Sequence, residues 1–184
     1  FDWSTVDTQP EQAKHILEAV RSWRGKEDKI GGKKLRVVYF HPKERQPLKE
    51  HTKRWDGIMS DIRDFYRTEM KRLGYGEVML GLERENGKLK LHQVRGNSND
   101  NGSYTYNSGR KIMGEVFNAL QAKGINHREE TILIVCGLSR TEGKKVTIYS
   151  PYYGMGADHV SGLCFTADMD WLSIDGLRPD PTKT

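Results

Sequence analysis

A chain of 184 residues, 35% hydrophobic and 30% charged, suffices for one domain with a real core and a well-solvated surface. No apolar run approaches the roughly 20 residues that span a bilayer, which excludes a membrane-spanning helix and makes a membrane partner unexpected. The net charge of +5 comes from 30 basic and 25 acidic side chains interleaved along the chain, as at Glu44-Arg45 and Lys49-Glu50. That pattern is a solvated face rather than a phosphate-tracking stripe, so no nucleic acid is expected.

Phe1-Asp2-Trp3 has neither the basic nor the apolar region of a secretory leader. Thr8-Gln9-Pro10-Glu11 reads as a capped helix start. Ala13, Ile16, Leu17, Val20 and Trp23 then recur at helical spacing until Gly25. A charged, glycine-containing linker covers 26–34, so residues 1–33 are expected to form a helix and linker ahead of the main domain, 34–170. Leu35 to Phe40 is rich in β-branched and aromatic residues and predicts a strand buried on both faces, ended by His41-Pro42.

From Thr52 to Leu73 the residues Trp55, Ile58, Met59, Ile62, Phe65, Tyr66, Met70 and Leu73 form one stripe. This is a long amphipathic helix lying on a sheet. Runs at 77–82 and 88–94 flank Asn86-Gly87, which favours a type I′ hairpin because both positions tolerate positive φ. Asn97 to Ser103 is a polar surface loop. A further helix begins near Ser108, with Ile112, Met113, Val116, Phe117 and Leu120 inward and Gly124 at its end.

Thr131 to Cys136, the most apolar run, predicts a central strand. Val146 to Tyr149 alternates and predicts an antiparallel edge strand, and Gly162 to Phe165 predicts a last short strand. The stretch 171–184, with two prolines, has no apolar periodicity and reads as an irregular tail. Strands separated by helices imply an α/β fold with a mixed, mostly parallel twisted sheet, packed helices and an antiparallel edge strand.

Catalytic groupings are absent from the local pattern. His15, His41, His51, His92, His127 and His159 are scattered, with no pair at metal-binding spacing, so no metal ligands and no catalytic residues are assigned. His159 alone sits in a glycine-rich segment. Cys136, in the most apolar strand, and Cys164 both read as small hydrophobes, with one bridge between them left open. The loop at 97–102 has too little negative charge for calcium. Asp158, Asp168 and Asp170 read as isolated surface carboxylates. No glycine-rich phosphate loop follows a strand. Tyr149, Tyr152 and Tyr153, on an edge strand followed by glycines, could line a groove for an extended peptide.

Three segments carry a resemblance: Leu35–Lys43, Ile62–Gly76 and Gly162–Asp168. Together they resemble the N-terminal part of secreted bacterial proteins of the metzincin-like zinc metallopeptidases, over roughly 34–170. The resemblance implies peptide-bond hydrolysis, a zinc cofactor, a peptide or protein substrate, and a secreted or periplasmic location. It also implies that the edge strand, Val146, Thr147, Ile148, Tyr149, Tyr152, Tyr153 and Gly154, holds substrate in extended form. The family's H-E-x-x-H helix should follow the last strand, but Trp171 to Leu177 stands there instead, so the zinc ligands match nothing in this chain. The resemblance thus implies the substrate-binding upper half of such an enzyme, present as a fragment; the alternative is a non-catalytic peptide- or glycan-binding module. With three helices for two sheet faces, a fragment is expected to leave one face with exposed apolar residues.

Overall fold

The computed structural model describes residues 34–76, 78–142, 145–147, 154–157 and 160–169. The expected helix at Thr8–Gly25 and the tail lie outside them. Strand β1 (Leu35–His41) is followed by helix α1 (His51–Arg72) and the short strands β2 (Arg84–Glu85) and β3 (Lys88–Leu89). Then come β4 (Leu91–Arg95), α2 (Gly109–Ala122) and β5 (Thr131–Cys136). The last strands are β6 (Arg140–Glu142), β7 (Lys145–Thr147), β8 (Gly154–Ala157) and β9 (Val160–Ala167).

Five strands form one sheet in the order β4-β1-β5-β9-β8. The first four are parallel, in register Val37↔Leu91, Val37↔Leu133 and Leu133↔Cys164. Only β8 runs antiparallel, at one edge. The mixed, mostly parallel sheet expected from the chain order is therefore present.

The apolar run of β1 is explained by cover on both faces. Val37, Val38, Tyr39 and Phe40 are all fully buried. Val38 and Phe40 pack with Ile112, Val116 and Leu120 of α2 and with Ile132 and Ile134 of β5. Val37 and Tyr39 pack on the other face with Trp55, Ile58 and Met59 of α1. Each such side chain contributes about 1.5–3 kcal/mol by leaving water. Asn86 and Gly87 both have positive φ (52° and 77°), which is the turn geometry their sequence predicts.

Two strands fall elsewhere than expected. The hairpin limb foreseen at 77–82 is instead β2, and that run meets the sheet only at its end, where Leu82 bridges Leu35 and the Leu35 N–H donates to Gly81 O at 2.8 Å. The tight Asn-Gly turn pairs the residues nearest it, so the limb is short. The antiparallel edge foreseen at Val146–Tyr149 is β8. Residues Lys145–Thr147 pair with β6 in a separate hairpin, since only two residues part the limbs and the local closure is the cheaper one.

The apolar stripe of α1 is only half used. Beyond Met59 it runs out from the core, leaving Ile62, Phe65 and Tyr66 at 36%, 62% and 49% exposure. On the sheet beside it Cys164 is exposed too. Among the described residues, one face of the sheet layer thus carries apolar surface that no described element covers.

Candidate functional site

The residues expected to grip substrate are divided by the fold. Gly154 opens β8, paired with Cys164 on β9. Val146 and Thr147 belong to β7, facing Thr141 and Arg140. Ile148, Tyr149, Tyr152 and Tyr153 lie outside the described residues. Among the described residues β8 has a partner on one side only, so its outer backbone edge is unpaired. The register on β9 shifts between Met155 and Ala157.

The carboxyl ends of the parallel strands, where α/β sheets ordinarily take a ligand, carry a dense polar cluster. Asp168, just after β9, is fully buried, contrary to its reading as a surface carboxylate. The Arg54 guanidinium donates to both its oxygens at 2.8 Å, Trp55 Nε1 donates to Oδ1 at 3.0 Å, and the Tyr39 hydroxyl donates to Oδ2 at 2.8 Å. The Asp168 backbone N–H donates to Cys136 O at 2.9 Å, and its carbonyl accepts from the Ser139 hydroxyl. Burial, then the Asp168 charge, push the Tyr39 hydroxyl well above its usual range, so it stays a donor. Every Asp168 oxygen is thus engaged, and the group locks the first turn of α1 onto the sheet. It holds structure rather than acting as a base.

No local signal marks this cluster. Helical periodicity turns Trp55 inward and leaves Arg54 on the charged side; their shared partner is far along the chain. His51 packs its ring 4.6 Å from that of Tyr39. Burial, reinforced by Arg54 and His41, lowers its pKa and favours the neutral ring.

Between the ends of β1 and β5 the strand order reverses, because the chain steps out to β4 before crossing back. Arg45 closes this crevice, donating to the carbonyls of Gly137 and Ser139 and pairing with Asp100 at 3.3 Å. The chain's own guanidinium thus lies at the switch point where such a sheet usually takes a ligand, beside an open pocket of about 590 Å³ lined by Asn99, Asp100, Asn101 and Gly102. The loop 97–103 is tied down here, with the Ser98 N–H donating to the Tyr104 hydroxyl and that hydroxyl donating to Glu115.

A second polar cluster lines an open groove of about 630 Å³ beside β4. Glu83 meets Arg36 at 2.6 Å and His92 at 2.7 Å, and Arg36 also reaches Glu130. Burial raises the Glu83 pKa, but the hydrogen bond and charge of His92, with Arg36, outweigh it and hold the carboxyl below its ordinary 4.5. A depressed carboxylate stabilises the fold above its unfolded pKa and loses that contribution as pH falls through the folded one. Acid-limb unfolding should therefore steepen below about pH 4.5 and flatten in Glu83→Gln. Urea midpoints measured from pH 6 to pH 3 (roughly, spanning the titration) check this; parallel curves for parent and variant would refute it.

Among the described residues no three His, Cys, Asp or Glu side chains converge as a metal-ion site. The donors described do not fit the zinc ion that the resemblance implies. Neither Cys136 nor Cys164 is in a disulfide. No described helix is long and apolar enough to cross a membrane.

The fold matches OgpA from Akkermansia muciniphila. A catalytically inactive form of that protein, in complex with an O-glycopeptide substrate (glycodrosocin), aligns with a TM-score of 0.64 and 22% identity. The alignment covers 79% of this chain and 40% of OgpA. Wild-type OgpA aligns with a TM-score of 0.66 and 23% identity over 79% of this chain and 41% of its own. This chain thus spans about two fifths of the length of the proteins it matches, and at such identity the likeness establishes the fold alone. No family model and no curated protein matches the sequence.

Proposed function

We propose that this chain is the peptide-gripping part of a secreted zinc-dependent peptidase whose substrates are peptides or O-glycopeptides. The observation that carries this is the antiparallel edge β8, unpaired on its outer side among the described residues, on a sheet that matches the fold of OgpA, a protein seen in complex with an O-glycopeptide substrate. An extended peptide can add to such an edge through its main-chain N–H and C=O groups, whatever its side chains. The edge sequence Gly154-Met155-Gly156-Ala157 is suited to this, since two residues without side chains leave room for a bulky sugar on the incoming strand. Peptide hydrolysis would need zinc donors that the described residues do not bring together, so no chemical step is assigned to this chain.

The test is a titration of the isotope-labelled chain with an O-glycosylated peptide and with its bare counterpart. Saturable shifts of the backbone amides of Gly154–Ala157 are expected with the glycopeptide, and no hydrolysis on adding zinc. Absence of binding at about 1 mM of either peptide would defeat the proposal, as would binding that leaves the β8 amides unmoved.

A further inference from the structure

The uncovered half of α1 and the adjoining sheet enclose an apolar groove of about 520 Å³. Trp55, Ile58 and Met59 form its floor, and Leu35, Ile62, Tyr66, Leu133 and Met169 its walls. No charged side chain lines it. A groove of this kind, with Tyr66 in its wall 49% exposed and Phe65 of the same helix 62% exposed, has the character of one side of an interface.

The same chain carries a matching apolar stripe. Between Glu11 and Arg24 the residues Ala13, Ile16, Leu17, Val20 and Trp23 fall at steps of three and four. A helix of that length is about 20 Å long and marginal in water unless its apolar side is buried. The linker 26–34 joins it to Leu35, which both opens β1 and walls the groove. Nine linker residues reach at most about 30 Å, so the stripe is held near the groove at roughly millimolar effective concentration. The sequence after Met169 also begins at the groove, but its apolar residues Trp171, Leu172, Ile174 and Leu177 span only seven positions, are interrupted by Gly176 and are followed by two prolines, too short a run for a stable helix.

We infer that the segment Glu11–Arg24 docks as a helix in the groove between α1 and strands β1, β5 and β9, acting as a third, intramolecular cover for the core. This inference is independent of the peptidase reading. If it holds, the uncovered face no longer argues for a missing helix, and the peptidase reading rests on the fold and the β8 edge.

Two native thiols make the test. Cys164 shares its face with Thr166, two residues along β9, and with its register partner Leu133, both of which line the groove. Cys136 is fully buried and reports loss of the fold. In the whole chain, maleimide labelling of Cys164 is expected to be slow, and about tenfold faster in Ile16→Asp/Val20→Asp with Cys136 still unlabelled. An unchanged rate overturns the inference. So does a parent rate that falls with protein concentration, which indicates a second copy, or acceleration by Leu172→Asp/Ile174→Asp alone, which indicates the sequence after Met169. Should the aspartates expose Cys136, a second measurement decides: Val20→Cys with Tyr66→Cys, on a Cys164→Ser background, should form an intramolecular disulfide under mild oxidation. Failure to form it rejects the docking.

Discussion

Asp168→Ala is expected to cost about 3–5 kcal/mol of stability, because it removes one partner from a buried ion pair. The carboxylate is fully buried and the Arg54 side chain is 9% exposed, so the guanidinium cannot turn to water when its partner goes. Trp55 Nε1 and the Tyr39 hydroxyl lose their acceptor at the same stroke. For a domain of this size the thermal midpoint should fall by about 10 °C. The pair is not expected to be worth that much against a neutral replacement. The double variant Arg54→Met/Asp168→Asn should therefore cost less than the two single changes added together. Calorimetry on the four proteins measures both quantities. A cost below about 1 kcal/mol for Asp168→Ala is what a solvated surface pair gives, and would show that the lock is not as drawn.

Phe40→Ala should be comparably damaging, at about 3–5 kcal/mol, for an apolar reason. The Phe40 ring is fully buried and meets the Tyr104 ring edge-on at 5.1 Å. Gly96, just past β4, lies under both rings. A Cβ added there would sit 2.4 Å from the Tyr104 hydroxyl and 2.8 Å from Phe40 Cζ. That hydroxyl is fixed by Glu115 and Ser98 and cannot swing aside. Gly96→Ala alone is thus overpacked, by about 1–3 kcal/mol. In the Phe40→Ala background part of that clash disappears, so the second change should be better tolerated there than in the parent. Chemical denaturation of the single and double variants reads the coupling. Strict additivity would mean that Phe40 and Gly96 do not share the space described.

The long elements were readable in the sequence because they are set by local periodicity and by burial on both faces. The β1 and β5 runs, the span of α1 and the start of α2 at Ser108 all follow from that. Less readable was which strand would take the antiparallel edge. Val146–Tyr149 alternates better than Gly154–Ala157, yet pairing depends on what each run can reach: Lys145–Thr147 finds β6 a short turn away, whereas β8 folds back on β9. The two glycines of β8 make it weak as a sequence signal. The Asp168 lock was hidden for a different reason. Its four side chains come from β1, α1 and the end of β9, and a carboxylate next to a strand looks the same in sequence whether it faces water or a guanidinium. The extent of cover on α1 was hidden too, since a stripe of eight apolar residues does not say how many have something to pack on.

The sheet order also bears on how the protein is made. Every parallel neighbour of β1 lies far along the chain: Val37 meets Leu91, and Arg36 meets Ile132. At a synthesis rate of roughly 5–20 residues per second, β1 leaves the ribosome on the order of 5–20 s before β5 exists to flank it. Through that interval Val37-Val38-Tyr39-Phe40 is an uncharged, β-prone tetrapeptide without a partner, the kind of stretch that seeds intermolecular pairing. Nascent chains of this protein should depend on a holdase or a slow, protected release, and refolding from denaturant should give more soluble material when it is dilute.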